Sequence, residues 1–192
     1  MNTAVFDIET SHLHPPFGVI LLACVKDLGG AEVETFRIDK RPYKGSRRSD
    51  DSKVVGALIE RLSRAEIVIA HNGLFFDRKF LNARGLKIGR ILNPRGKLID
   101  PVLIFRKYFH LGRGQNTLDG IADFLECATE KTRLLPHVWV RAAIDRDREA
   151  LDYIQEHCIK DVLLLEEVVQ RMLAVKFEAG MLGDITQYGS DR

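Results

Sequence analysis

The sequence predicts one mixed α/β domain. Three strand-patterned segments come first, joined by tight connections; helical and strand segments then alternate; a long amphipathic helix follows. Antiparallel strands followed by crossovers give a mixed sheet with helices on its faces, and right-handed crossovers are expected.

Residues 3–9 read as the first strand, with Thr3, Val5, Asp7 and Glu9 on one face and Ala4, Phe6 and Ile8 on the other. Residues 17–26 and 31–38 follow as strands, separated by the turn signal Gly29-Gly30. Residues 39–53 form a polar loop. Val54 to Leu62 has helical spacing, with Asp50, Asp51 and Ser52 as candidate caps. Ile67 to Ala70 is a short apolar run suited to a buried parallel strand. Residues 76–84 are expected to be helical, and Gly85 can stop that helix. Leu98 to Asp100 reads as a short strand, followed by helical turns over 101–109. Asn116 or Thr117 caps the next helix. The last helix spans about Asp147 to Val175, with Leu151, Ile154, Cys158, Val162, Leu165, Val169 and Met172 as its apolar stripe. Residues 179–192 are Gly-rich and polar and are expected to form a mobile tail, leaving 1–178 as the domain.

Composition bounds the class. The 192 residues are 45% apolar and 29% charged, which fits one globular domain and excludes disorder, collagen and coiled coil for the whole chain. The longest apolar run, Val19 to Val25, falls far short of the ~20 residues of a membrane span. No secretory signal pattern opens the sequence, so a cytoplasmic protein is expected. Cys24, Cys127 and Cys158 are far apart and form no Cys-x-x-Cys, so they are expected to be reduced, small apolar residues. The net charge of +2 conceals an uneven distribution. Residues 78–97 carry seven basic residues and no acid; residues 37–53 carry seven basic and three acidic residues. Both stretches suit a phosphate path, and both also suit a solvated surface.

Three groups of acids stand out. Asp7 and Glu9, two apart on a strand, project from one face, an arrangement suited to hard cations or to plain solvent exposure. In His71-Asn72-Gly73-Leu74-Phe75-Phe76-Asp77-Arg78-Lys79-Phe80 a strand ends and a helix begins, where α/β sheets build sites. Asp77 there also suits the helix dipole. In the last helix His157 and Asp161 share a face at i and i+4. Such a pair can act in catalysis or be a surface contact.

Together, Phe-Asp-Ile-Glu-Thr, His-Asn-Gly-x-x-Phe-Asp-x-x-Phe and a helical Asp-Val resemble, in order and spacing, the DEDD superfamily of 3′→5′ exonucleases. The resemblance runs from Ala4 to about Val175. It includes Asn-Thr-Leu-Asp-Gly-Ile-Ala-Asp-Phe-Leu at 116–125, and is closest to stand-alone predicted exonucleases related to family B DNA polymerase proofreading domains. It implies a ribonuclease-H-like fold with a five-stranded sheet in the order 3-2-1-4-5, the first three strands antiparallel. It implies two Mg²⁺ or Mn²⁺ ions held by Asp7, Glu9, Asp77 and Asp161, and a two-metal phosphodiester hydrolysis. It makes Thr10, Leu13, Asn72 and Phe80 substrate-binding candidates, with Leu13 against the terminal base.

One position departs from the pattern. One subclass carries Tyr four residues before the final Asp, the other His five before it. Here position four is His157 and position five is Glu156. His157 is the expected base, and Tyr153, a turn earlier, the weaker candidate. The partner is expected to be nucleic acid, single-stranded DNA or 3′ ends first, with RNA or a non-catalytic binding module as alternatives. Oligomeric state is left open. His12-x-His14 is expected to be a substrate-side loop, Trp139 a core residue, and Asp100 a cap for the helix after Pro101.

Overall fold

The computed structural model describes residues 2–92, 97–129, 132–133 and 135–174. The expected tail at 179–192 lies outside them.

Alternating and continuous apolar runs build the first three strands: β1 (Thr3–Thr10), β2 (Ile20–Asp27) and β3 (Val33–Arg37). β1 pairs antiparallel with β2, and β2 with β3. Two short strands, β4 (Ile67–Ile69) and β5 (Lys97–Ile99), extend the sheet in parallel beyond β1. The order is β3-β2-β1-β4-β5, the expected ribonuclease-H-like sheet. β1 therefore lies at the centre. Ala4, Val5 and Phe6 are consecutive yet all fully buried, because both faces of the sheet are covered.

Helices α1 (Ser52–Leu62), α2 (Asp77–Leu86), α3 (Pro101–Tyr108), α4 (Leu118–Phe124), α5 (Pro136–Asp145) and α6 (Arg148–Ala174) complete the domain. The predicted stripe of α6 is buried from Leu151 to Met172, and this helix packs on β1 and β2. Thr117 caps α4 by accepting from the Gly120 N–H at 3.1 Å, and Asp100 caps α3 by accepting from Val102 at 3.1 Å. Asp147 accepts from Ala150 at 2.8 Å and so starts α6.

Four expectations change. Gly85, expected to stop α2, lies within it and is buried; the helix runs on to Leu86. β2 begins at Ile20 rather than residue 17; Ser11 and Val19 close the preceding loop through two 3.0 Å hydrogen bonds. α5 was not predicted. Only Val138 and Ala142 of its ten residues are buried, too few to show a periodic stripe. Asp51 precedes α1 but makes no cap with its side chain. Its carboxylate turns inward, accepting from Ile20 N at 2.9 Å and from Arg84 Nη2 at 2.6 Å.

That last contact also corrects the charge reading. Arg84 is 8% exposed and Arg37 1% exposed. Arg37 is paired with Asp39 at 2.7 Å and with Asp152. Neither arginine can serve a phosphate path. Lys40, Arg41, Lys44, Arg47, Arg48 and Lys53 of the first stretch, and Lys79, Lys87 and Arg90 of the second, stand exposed; Arg95 lies outside the described residues.

Candidate active site

Sheet order decides which acids meet. β1, at the centre, carries Asp7 and Glu9 at its C-terminal half. The parallel neighbour β4 leads through the His71–Phe76 loop into α2, whose first residue is Asp77. α6 packs across β1 and carries His157 and Asp161.

The β4–α2 loop follows a tight path. Asn72 adopts a left-handed backbone, φ 58°. A Cβ on Gly73 would lie 2.4 Å from Ala70 Cβ, so only glycine fits there. The buried carboxylate of Asp100 accepts from the Asn72 N–H at 2.9 Å and the Leu74 N–H at 3.2 Å. Asp100 is thus a cap, as expected, and also the clamp of this loop. Burial raises its pKa, and those amide bonds oppose the shift.

Negative charge concentrates at Asp7. Its pKa is raised well above the ordinary carboxylate value, first by burial, then by Glu9, Asp77 and Asp161. The Cys158 thiol donates to Asp7 Oδ2 at 3.3 Å, so this cysteine is more than the apolar filler expected. Asp77, 3% exposed, accepts from the Ile8 N–H at 3.3 Å, and its pKa is pushed up to about 7 by burial, with Asp100 adding to the rise.

His157 faces the same acids. Its Nε2 lies 3.7 Å from Asp161 Oδ2 and 4.0 Å from Glu9 Oε1, and its Nδ1 lies 2.5 Å from Thr132 Oγ1. Tyr153 donates its hydroxyl to the Arg133 carbonyl at 2.5 Å, which engages it away from the acids. Trp139 was expected in the core. It packs, partly buried, against the core, and its indole N–H also donates to Glu9 Oε2 at 2.9 Å, while its ring stands edge-on to His157 with centroids 5.2 Å apart.

The substrate candidates divide. Leu13 is 73% exposed, and Phe17 on the same loop is 78% exposed. Thr10 donates its hydroxyl to the His12 carbonyl at 3.0 Å and shapes the start of that loop. His12 Nδ1 accepts from the His14 N–H at 3.0 Å, consistent with a loop role. Phe80 does not meet the expectation of substrate contact. It is 1% exposed and packs in the core against Phe76, centroids 5.7 Å apart. Sequence reasoning missed Trp139, Thr132, Cys158 and the loop clamp of Asp100. Their roles depend on contacts between distant segments, which no local pattern reports.

Among the described residues, no three His, Cys, Asp or Glu side chains form a closed metal cage. The donor chemistry nevertheless fits a hard divalent cation. Asp7 feels the charge of three other carboxylates, and a cation would offset the repulsion that raises its pKa.

A family profile described as the RNase_H superfamily matches residues 4–173. The chain belongs to this superfamily. Two solved structures show the same fold. A family B DNA polymerase from the hyperthermophilic archaeon Pyrobaculum calidifontis aligns with TM-score 0.70 and 17% identity over 90% of this chain. The chain spans 24% of that polymerase's length. A structure described as the apo form of a nuclease aligns with TM-score 0.65 and 17% identity, covering 98% of this chain and 79% of the other. A search of curated proteins finds no match. As in the sequence reading, no helix among the described residues is long and apolar enough to cross a membrane.

Proposed function

We propose that this RNase H superfamily member is a metal-dependent 3′→5′ exonuclease acting on nucleic-acid 3′ ends, with single-stranded DNA preferred. One observation carries the reading: the charges of Glu9, Asp77 and Asp161 converge on Asp7, and His157 faces Glu9 and Asp161.

Asp7, Glu9, Asp77 and Asp161 would hold two Mg²⁺ or Mn²⁺ ions. Bound divalent ions supply Lewis-acid polarisation of the phosphate and an acidified water. His157 takes the proton from the attacking water at Nε2. That role requires the tautomer in which Nδ1–H donates to Thr132 Oγ1, a contact available at 2.5 Å. Trp139 holds Glu9 in place through its indole N–H. Exposed Leu13 and Phe17 offer an apolar surface to an unstacked base, which favours single strands over duplex.

The test uses end-labelled single-stranded DNA, duplex DNA and RNA with Mg²⁺ or Mn²⁺. A ladder shortening from the 3′ end supports the reading, and purely internal cuts overturn it. Faster loss of RNA would move the preference to an exoribonuclease reading, the 2′-hydroxyl being the discriminating group.

A further inference from the structure

A cleft of about 370 Å³ opens beside Asp7 and Asp161. That volume falls within the roughly 300–1,000 Å³ common for small-ligand sites. Its other walls come from His71 and Asn72 on the β4–α2 loop, Arg106 on α3 and Asn116 before α4. Neither Leu13 nor Thr10 lines it, so it is distinct from the apolar rim of the site.

Two of its groups are open to a ligand. Arg106 is exposed and makes no hydrogen bond or ion pair with the described residues; its charge acts on Asp100 only at longer range. Arg37, Arg61, Arg84 and Arg141, by contrast, are each held by a carboxylate. Asn116 Oδ1 is buried and has no hydrogen-bond partner among the described residues, which is costly unless a ligand supplies a donor. A guanidinium suits a phosphate, and an amide oxygen suits a sugar hydroxyl or a base N–H. A nucleotide unit carries both complements.

We infer that this cleft seats the nucleotide next to the scissile phosphate, with Arg106 gripping a non-reacting phosphate and Asn116 accepting from the sugar or base. The inference rests on the nuclease reading and deepens it: the substrate class is a polynucleotide with a second phosphate, not a lone phosphodiester. A carboxylate-lined site would repel that second phosphate, and Arg106 offsets this locally.

The test compares Arg106→Ala and Arg106→Lys with the unaltered protein on two substrates. One is a single-stranded oligonucleotide; the other is the 4-nitrophenyl ester of thymidine 5′-monophosphate, which has only the reacting phosphate. Arg106→Ala should lower kcat/KM on the oligonucleotide about tenfold, a range in keeping with loss of one charged phosphate contact, while leaving the ester within about twofold. Arg106→Lys should recover part of the loss. Without metal, anisotropy of a labelled trinucleotide should show weaker binding to Arg106→Ala and a salt dependence shallower by about one phosphate contact. Asn116→Ala should weaken trinucleotide binding in the same assay. Equal losses on both substrates, or none on either, would overturn the inference while leaving the nuclease reading intact. If the unaltered protein cleaves neither substrate, it is the nuclease reading that fails.

Discussion

The indole N–H of Trp139 donates to Glu9 Oε2 at 2.9 Å, joining α5 to the central strand at the candidate metal site. Trp139 is the only tryptophan in the chain. Its emission should therefore respond to Mg²⁺ or Mn²⁺ at Glu9, and the change should vanish in Asp7→Asn. Trp139→Phe should remain folded and lose about 10–100-fold in metal affinity or activity, the usual cost of removing such a supporting bond. Metal titrations followed by activity and, in the unaltered protein, by fluorescence check both points. An emission spectrum indifferent to metal that nevertheless activates the protein would contradict the link.

His157 and Tyr153 can be separated by substitution. His157→Ala should lower kcat by about 10²–10⁴-fold, the range for losing a general base. Thr132→Val should cost less, near tenfold, because the imidazole stays but loses its Nδ1 partner. Tyr153→Phe should leave kcat within about twofold, since its hydroxyl serves the Arg133 carbonyl. Steady-state kinetics at fixed metal concentration decide the order. A larger loss for Tyr153→Phe than for His157→Ala would reverse the assignment.

How far the site was legible follows from which contacts are local. Asp7 with Glu9, and His157 with Asp161, sit in short motifs whose strand or helix spacing puts each pair on one face, whereas Asp77 was legible only through the resemblance. The sheet order was legible through the resemblance, and the structure has it. Trp139 was not, because α5 buries only two residues and its contact to Glu9 spans 130 positions. Phe80 was misread for a related reason. Its motif position does not reveal that the loop carrying Gly18 packs over it; a Cβ at Gly18 would lie 3.1 Å from the Phe80 ring. Charge counts failed where burial decides, as at Arg84 and Arg37.

Arg84 therefore belongs to stability. With Asp51 it forms a buried pair, and its Nη1 donates to the Pro15 carbonyl at 3.3 Å, tying α2 to the loop that carries Leu13. Arg84→Ala leaves Asp51 buried without its cation. The expected cost is about 3–5 kcal/mol. Urea unfolding measures it. Exposed Lys79→Ala, on the same helix, should change stability by less than about 0.5 kcal/mol.

The carboxylate cluster makes a pH prediction with a definite sign. Asp7 and Asp77 both have folded pKa values above the ordinary 3.8, Asp77 near 7. As pH rises above about 4, the unfolded chain loses these protons first, so stability falls until pH passes the folded values. The metal-free protein should melt on the order of 10 °C lower at pH 8 than at pH 5. Asp77→Asn should flatten part of that slope, and Mg²⁺ or Mn²⁺ should recover the loss most strongly at pH 8. Calorimetry with and without chelator tests this; a melting temperature that rises with pH in the metal-free protein would contradict it.

The most direct measurement is product release from a single-stranded oligonucleotide labelled at its 3′-terminal nucleotide. Folded Asp7→Ala and the unaltered protein are compared in Mg²⁺ or Mn²⁺. The unaltered protein should release labelled nucleoside 5′-monophosphate as the first product and stop when the metal is chelated. Asp7→Ala, with an unchanged circular dichroism spectrum, should release none. Full release by folded Asp7→Ala, or a first product longer than one nucleotide, would contradict the two-metal exonuclease assignment.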